Sequence, residues 1–141
     1  MEIQHKTKKV LIVDDDNFLL SMYSFKFKES GFEVTSVVGG AEALGLLRGG
    51  DTFDIILLDL MMPIVNGFEL MEALKKENLA PETKLIVFSN LGQSSDIERS
   101  RSLGANSYII KASTTPTEVV EKAISVLRGA ALFAKVDQKN G

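Results

Sequence analysis

The chain has 141 residues, 45% hydrophobic and 25% charged, with a formal net charge of −3 and a pI near 5.2. That balance fits one soluble globular domain with a real core, and it excludes a disordered segment or a basic nucleic-acid-binding surface as the main business. Cysteine is absent, which removes disulfides, thiol catalysis and thiolate metal sites. The one histidine, His5, lies in a polar leader, EIQHKTKK, where a solvated end or tag scar is expected rather than a ligand. No apolar run approaches the ~18 residues of a membrane span and no signal-peptide pattern precedes the fold, so a cytoplasmic protein is expected.

Taken in order, residues 1–8 read as a flexible or disordered leader. Val10-Leu11-Ile12-Val13 is a β-branched run, the first strand, and it stops at Asp14-Asp15-Asp16-Asn17. Asp16 is suited to cap a helix, along which Phe18, Leu19, Met22 and Phe25 with Leu20, Tyr23 and Phe27 form a wide apolar stripe. Ser30-Gly31 ends that helix, and Phe32 to Val37 reads as the second strand. Gly39-Gly40 opens a short helix from Ala41 to Arg48, closed by Gly49-Gly50. The stretch FDIILLDLMMPIVNGFEL (Phe53 to Leu70) starts as a solid apolar run, Ile55 to Leu58, and ends on Asp59. An unbroken run of that length is a strand covered on both faces, as in a parallel sheet.

A third helix is expected over Phe68 to Glu77, with Pro81 forbidding continuation. Leu85 to Phe88 is the fourth strand, ending at Ser89. Ser95-Asp96-Ile97-Glu98 has the form of a capping box and starts a fourth helix with few apolar residues, chiefly Ile97 and Leu103. Asn106 to Ile110 is the fifth strand, ending at Lys111. Thr115-Pro116-Thr117-Glu118 is a second capping box, opening a helix that runs through Val119, Val120, Ala123, Ile124 and Leu127. Residues 129–141 then have two readings: Gly129 ends this helix, or the apolar segment Ala130 to Val136 extends it, with Lys139 to Gly141 frayed. Five strands alternating with five helices predict an α/β domain with a parallel sheet over residues 9–128.

In such a sheet every carboxyl end lies on one edge, where open α/β sheets bind ligands. The first strand delivers Asp14 and Asp15 there, the third Asp59, the fourth Ser89 and the fifth Lys111. Singly each is unremarkable: Asp16 reads as a cap only, and a lone serine or lysine at a strand end is usually solvated. Together, three carboxylates repel one another unless a cation sits among them, and all-oxygen donors without histidine or cysteine point to Mg²⁺. A hydroxyl and an ammonium opposite them suit a phosphoryl group, with a carboxylate available as nucleophile.

The pattern VLIVDDD (Val10 to Asp16), DIILLDLMMPIVNGFEL (Asp54 to Leu70), LIVFSN (Leu85 to Asn90) and GANSYIIK (Gly104 to Lys111) resembles the response-regulator receiver domain of two-component signalling. The resemblance spans roughly Lys8 to Arg128, and Asp59…Met62-Pro63…Gly67 is its most specific part. It implies a flavodoxin-like (βα)5 fold of strand order 2-1-3-4-5. It implies Asp59 as phosphoacceptor, with Asp15, Asp59 and the Met61 backbone carbonyl ligating Mg²⁺ or Mn²⁺ and Asp14 acting largely through water. Lys111 and Ser89 would contact the phosphoryl group, and Tyr108 would be the aromatic that turns as Ser89 moves. The implied partners are a sensor histidine kinase or histidine phosphotransfer protein and a downstream protein or output domain. The implied output surface is the fourth helix, fifth strand and fifth helix, also the implied face for a homodimer; neither nucleic acid nor membrane is expected as a partner. Such a domain is not an enzyme beyond promoting its own phosphorylation and dephosphorylation. No output domain fits after Arg128, so a stand-alone receiver or a piece of a longer regulator is expected.

Two features depart from the common pattern. The family usually has a proline with a cis bond after the lysine; Ala112 stands there, and since a cis non-proline bond costs ~2.5–4 kcal/mol, a trans bond is expected. Two positions beyond Asp59 and Ser89 stand Met61 and Leu91, both apolar, where the family's side chains flank the hydrolytic water; a long-lived aspartyl phosphate is the expectation. Three other readings compete. A degenerate receiver has only Ala112 in its favour. A haloacid-dehalogenase-type phosphohydrolase would want threonine or valine at Phe18 and a cap insertion. A dinucleotide-binding domain lacks its Gly-x-Gly-x-x-Gly.

Overall fold

In a computed structural model, which describes residues 7–133, the apolar runs form a single parallel sheet. Its strands are β1 (Lys9–Val13), β2 (Glu33–Val37), β3 (Ile55–Leu58), β4 (Lys84–Ser89), β5 (Ser107–Ile110) and β6 (Leu132–Phe133). The helices between them are α1 (Asn17–Glu29), α2 (Gly40–Arg48), α3 (Gly67–Lys76), α4 (Ser94–Ser102) and α5 (Pro116–Leu127), with a 3₁₀ turn at Lys111–Ser113. The spatial order is β2-β1-β3-β4-β5-β6. The expected order 2-1-3-4-5 is present, and a sixth short strand is added to its end. None of the described helices is long and apolar enough to cross a membrane.

Alternation along each strand divides the core into two layers. Leu11, Val13, Ile56, Leu58, Val87 and Tyr108 face α2, α3 and α4, while Val10, Ile12, Ile55, Leu57, Ile86, Phe88 and Ile109 face α1 and α5. Both faces of β3 are therefore covered, and all four of its residues are buried. This is why its sequence is apolar without interruption rather than alternating.

Two expectations are corrected, and one open alternative is decided. The α1 stripe is narrower than expected: Leu20, Tyr23 and Phe27 are buried and Leu19 and Met22 pack against the same cluster, while Phe18 and Phe25 are 74% and 66% exposed. The helix turns 100° per residue, so the far edge of so wide a stripe, Phe18 and Phe25, turns away from a sheet that lies on one side. The capping box at Ser95 is not formed; the cap of α4 is Gln93, two residues earlier, and its side chain makes no capping bond. Of the two readings after Leu127, the one in which Gly129 ends the fifth helix holds, and the helix does not extend through Ala130. Arg128 caps it, Gly129 adopts a left-handed φ of 105°, and the chain turns back to pair with β5. The capping box of α5 is present, with Thr115 accepting from the Glu118 amide and Glu118 from the Thr115 amide. Residues 1–6 and 134–141 lie outside the described residues, and with them His5, the frayed-tail reading and all of the leader but Thr7 and Lys8; the Lys8 carbonyl accepts from the Glu33 amide at 2.9 Å.

Candidate functional site

Register places the site. Val13 pairs with Leu58 across β1 and β3, so the next residues, Asp14 and Asp59, emerge side by side. Leu58 pairs with Val87 and Ser89 with Ile110, so Ser89 and Lys111 emerge from the neighbouring strands on the same edge. The backbone continues the pairing beyond the strands, with the Asp59 amide donating to Val13 at 3.0 Å and the Asp14 amide to Val37 at 3.2 Å.

Carboxylate oxygens of Asp14, Asp15 and Asp59 lie within 4.8 Å of one another. Asp14 and Asp59 are buried, and Asp15 is exposed. The Lys111 Nζ sits 2.7 Å from Asp14 Oδ2 and 3.3 Å from Asp59 Oδ2, with the Phe88 ring beneath it, centroid 5.6 Å away. Each acid is also tied to its own loop. Asp14 accepts from the Asp16 amide at 2.9 Å, and Asp59 from the Met61 amide at 3.3 Å. Asp16 stays out of the cluster and caps α1, accepting from the amides of Phe18 and Leu19.

The charges are not balanced: one ammonium faces three carboxylates. Burial pushes the Asp14 carboxyl above its usual range, even though Lys111 hydrogen-bonds it. Burial alone would lower the Lys111 ammonium, but its bond to Asp14 and the fields of Asp59 and Asp14 prevail and raise it. Lysine therefore stays protonated, and the edge as a whole carries excess negative charge. A hard divalent cation fits that donor set, which among the described residues consists of the carboxylate oxygens of Asp14, Asp15 and Asp59.

The other expected residues are distributed as follows. Ser89 is fully buried, and its Oγ accepts from the Leu91 amide at 3.3 Å. Tyr108 is buried with its ring turned inward, and its hydroxyl donates to the Leu91 carbonyl; burial raises its pKa. The Leu91 side chain is half-buried and packs on the core beneath, whereas that of Met61 is 60% exposed. Among the described residues there is no cis peptide bond, so Lys111–Ala112 is trans, as expected.

Three features of the site were not anticipated. The Ala112 amide donates to Asn90 Oδ1 at 2.8 Å, tying the loop after β5 to the loop after β4; a proline could not make this bond. Gly67 is required by contact, because a Cβ there would collide with the Asp59 carbonyl oxygen and lie 2.8 Å from Leu60 Cα. The Asn66-Gly67 pair reads in sequence as a turn signal, but its partner across the gap is a tertiary fact. Ile64 holds a left-handed φ of 69° and is 90% exposed, which nothing in the local sequence announces.

A family model of the response regulator receiver domain matches residues 10–124. The chain belongs to the response-regulator receiver family. It is 32% identical over 118 residues to the response regulator SaeR of Staphylococcus aureus, an alignment covering 84% of this chain and 50% of SaeR. The receiver thus spans about half the length of the curated relatives it matches. Among solved structures it is similar to the receiver domain of the Francisella response regulator 1452, with a TM-score of 0.78 and 29% identity over 86% of this chain and 98% of that one. It also resembles the Vibrio cholerae chemotaxis protein CheY4, with a TM-score of 0.79 and 26% identity over 86% and 99% of the two chains.

Proposed function

We propose that this receiver is switched by phosphorylation of Asp59, with a histidine kinase or a histidine phosphotransfer protein as donor. The observation that carries the reading is the trio of carboxylate oxygens within 4.8 Å with Lys111 across from it. An Asp59 oxygen attacks phosphorus as the donor's P–N bond breaks, and the imidazole leaves with a proton. Lys111 neutralises a phosphoryl oxygen, and the buried Ser89 hydroxyl donates to another. Asp15 and Asp59 with the Met61 carbonyl, and Asp14 through water, would hold Mg²⁺ or Mn²⁺. When bound, the ion supplies positive charge beside the phosphoryl oxygens.

Tyr108 reports the state of Ser89, since both bond to Leu91. The signal leaves through α4, β5 and α5 to a downstream protein or output domain, or through a homodimer on that face. The domain works in the cytoplasm and touches neither membrane nor nucleic acid. The phosphoryl group is long-lived, because the thioether of Met61 and the alkyl chain of Leu91 cannot orient an attacking water. Met61→Asn with Leu91→Glu then accelerates dephosphorylation; an unchanged rate would sink the lifetime argument.

The main test is to incubate wild type and Asp59→Asn with Mg²⁺ and a small phosphodonor such as phosphoramidate, and to follow intact mass. The expected result is one phosphoryl adduct on wild type and none on the variant. No adduct, together with no binding of beryllofluoride, would indicate a receiver that works without phosphate. Turnover of organic phosphates would indicate a hydrolase.

A further inference from the structure

The last described residues do something that neither α5 nor the acidic site requires. After Gly129 the chain returns to the sheet and lays Leu132 beside Ser107 and Phe133 beside Tyr108, parallel to β5. Without them β5 would be an edge strand, its outward N–H and C=O groups open to pairing with another chain. Specific contacts seat the segment. The fully buried Ser107 donates its hydroxyl to the Leu132 carbonyl. From α4, the Arg101 guanidinium lies 4.1 Å over the Phe133 ring, a cation–π contact. Phe133 also packs on the cluster that contains Tyr108.

The anchorage is light. Among the described residues two pair, both side chains are half-buried, and a crevice of about 450 Å³ separates the segment from Ser113, Thr114 and the first turns of α5. A segment with so few buried contacts opens at a free energy well below global unfolding. It is also wired to the site. Phe133 is the register partner of Tyr108, Tyr108 bonds the Leu91 carbonyl, and the Leu91 amide bonds Ser89 Oγ. The seated Phe133 lies beside Tyr108 and packs on the same cluster, and Tyr108 in turn bonds the Leu91 carbonyl while the Leu91 amide bonds Ser89 Oγ.

We propose that residues 130–133 form a displaceable strap on the β5 edge, coupled through Tyr108, Leu91 and Ser89 to anion binding beside Lys111. When seated, the strap denies the edge to a second strand and preorganises Ser89. By linkage, an anion on Ser89 and Lys111 tightens the strap by the same factor that the strap tightens the anion. The coupling half rests on the phosphoryl reading of the site; the edge-covering half does not.

Wild type, Phe133→Ser and Arg101→Ala are compared by amide hydrogen exchange, with and without Mg²⁺ and beryllofluoride, and by titration with beryllofluoride. In Phe133→Ser the β5 amides that point toward β6 exchange at least ~10-fold faster while those of β1 and β3 are unchanged, as for a local opening. Beryllofluoride binds this variant about fivefold more weakly, the low end of the usual coupling range, and on wild type it slows exchange at the same β5 amides. Arg101→Ala shifts both readouts in the same direction by less. Unchanged β5 exchange in Phe133→Ser overturns the strap. Faster exchange with unaltered beryllofluoride affinity overturns the coupling. If wild type binds no beryllofluoride, the phosphoryl reading and the coupling fall together, while the exchange comparison still decides whether the segment guards the edge.

Discussion

Replacing Ala112 by proline, the residue common at this place in the family, is expected to destabilise this receiver. The substitution deletes the Ala112 N–H that bonds Asn90 Oδ1 at 2.8 Å. Both partners are exposed, so Asn90 regains water, and the loss is about 0.5–1 kcal/mol. Lys111 lies in the 3₁₀ turn Lys111–Ser113, and a following proline disfavours the helical region for it, a strain of order 1–3 kcal/mol. Stiffening of the unfolded chain returns about 0.4–1 kcal/mol. The net expectation is a loss of about 2 kcal/mol. Urea unfolding followed by far-ultraviolet circular dichroism measures it, alongside Asn90→Ala and the double variant. Asn90→Ala should cost less in the proline background than in wild type, because its partner is already gone. Unaltered or improved stability of Ala112→Pro, or a fully additive cycle, would refute the reasoning.

Two further substitutions test the loop after β3. Ile64→Gly relieves a left-handed backbone of roughly 1–2 kcal/mol, offset by the freer unfolded glycine, so a gain of about 0.5–1 kcal/mol is expected; a lower urea midpoint would contradict it. Gly67→Ala forces a Cβ against the Asp59 carbonyl and Leu60 Cα, backbone atoms that cannot rotate away. A loss of about 1–3 kcal/mol is expected in the same assay, together with slower phosphorylation of Asp59.

The strand cores and the site were legible for one physical reason. A strand buried on both faces leaves no room for polar residues until it leaves the sheet, so Asp14, Asp59, Ser89 and Lys111 stand out as the first polar residues after apolar runs. What stayed hidden depends on partners distant in sequence. Leu132 and Phe133 lie in an apolar segment whose local pattern suits a longer helix; only the open edge of β5 decides for a strand. Phe18 and Phe25 look like core until the sheet is seen to lie on the Leu20–Tyr23–Phe27 side of α1. The Asn90–Ala112 bond joins two loops 22 residues apart and has no sequence signal beyond the absence of proline. The box-like Ser95–Glu98 pattern misled because four matching residues do not set where a helix starts.

The charge at the strand ends yields the last prediction. Two buried aspartates share the Lys111 ammonium with an exposed third carboxylate, Asp15, beside them, and a phosphoryl group on Asp59 would bring further negative charge to the same edge. Lys111 alone cannot offset that, so a divalent cation should bind the folded state and not the unfolded one. At a concentration ten times its Kd, such an ion adds about 1.4 kcal/mol to stability. Asp15 is the residue to test, because it is exposed and its loss removes a ligand without opening the core. Mg²⁺ should raise the urea midpoint of wild type, and the rise should shrink severalfold in Asp15→Asn, whose fold in the absence of Mg²⁺ should be no less stable, since one of the mutually repelling charges is gone. Chelation should abolish phosphorylation by a small donor in both proteins. A midpoint that ignores Mg²⁺, or a Mg²⁺ effect equal in wild type and Asp15→Asn, would mean that the three carboxylates are held for some reason other than a cation.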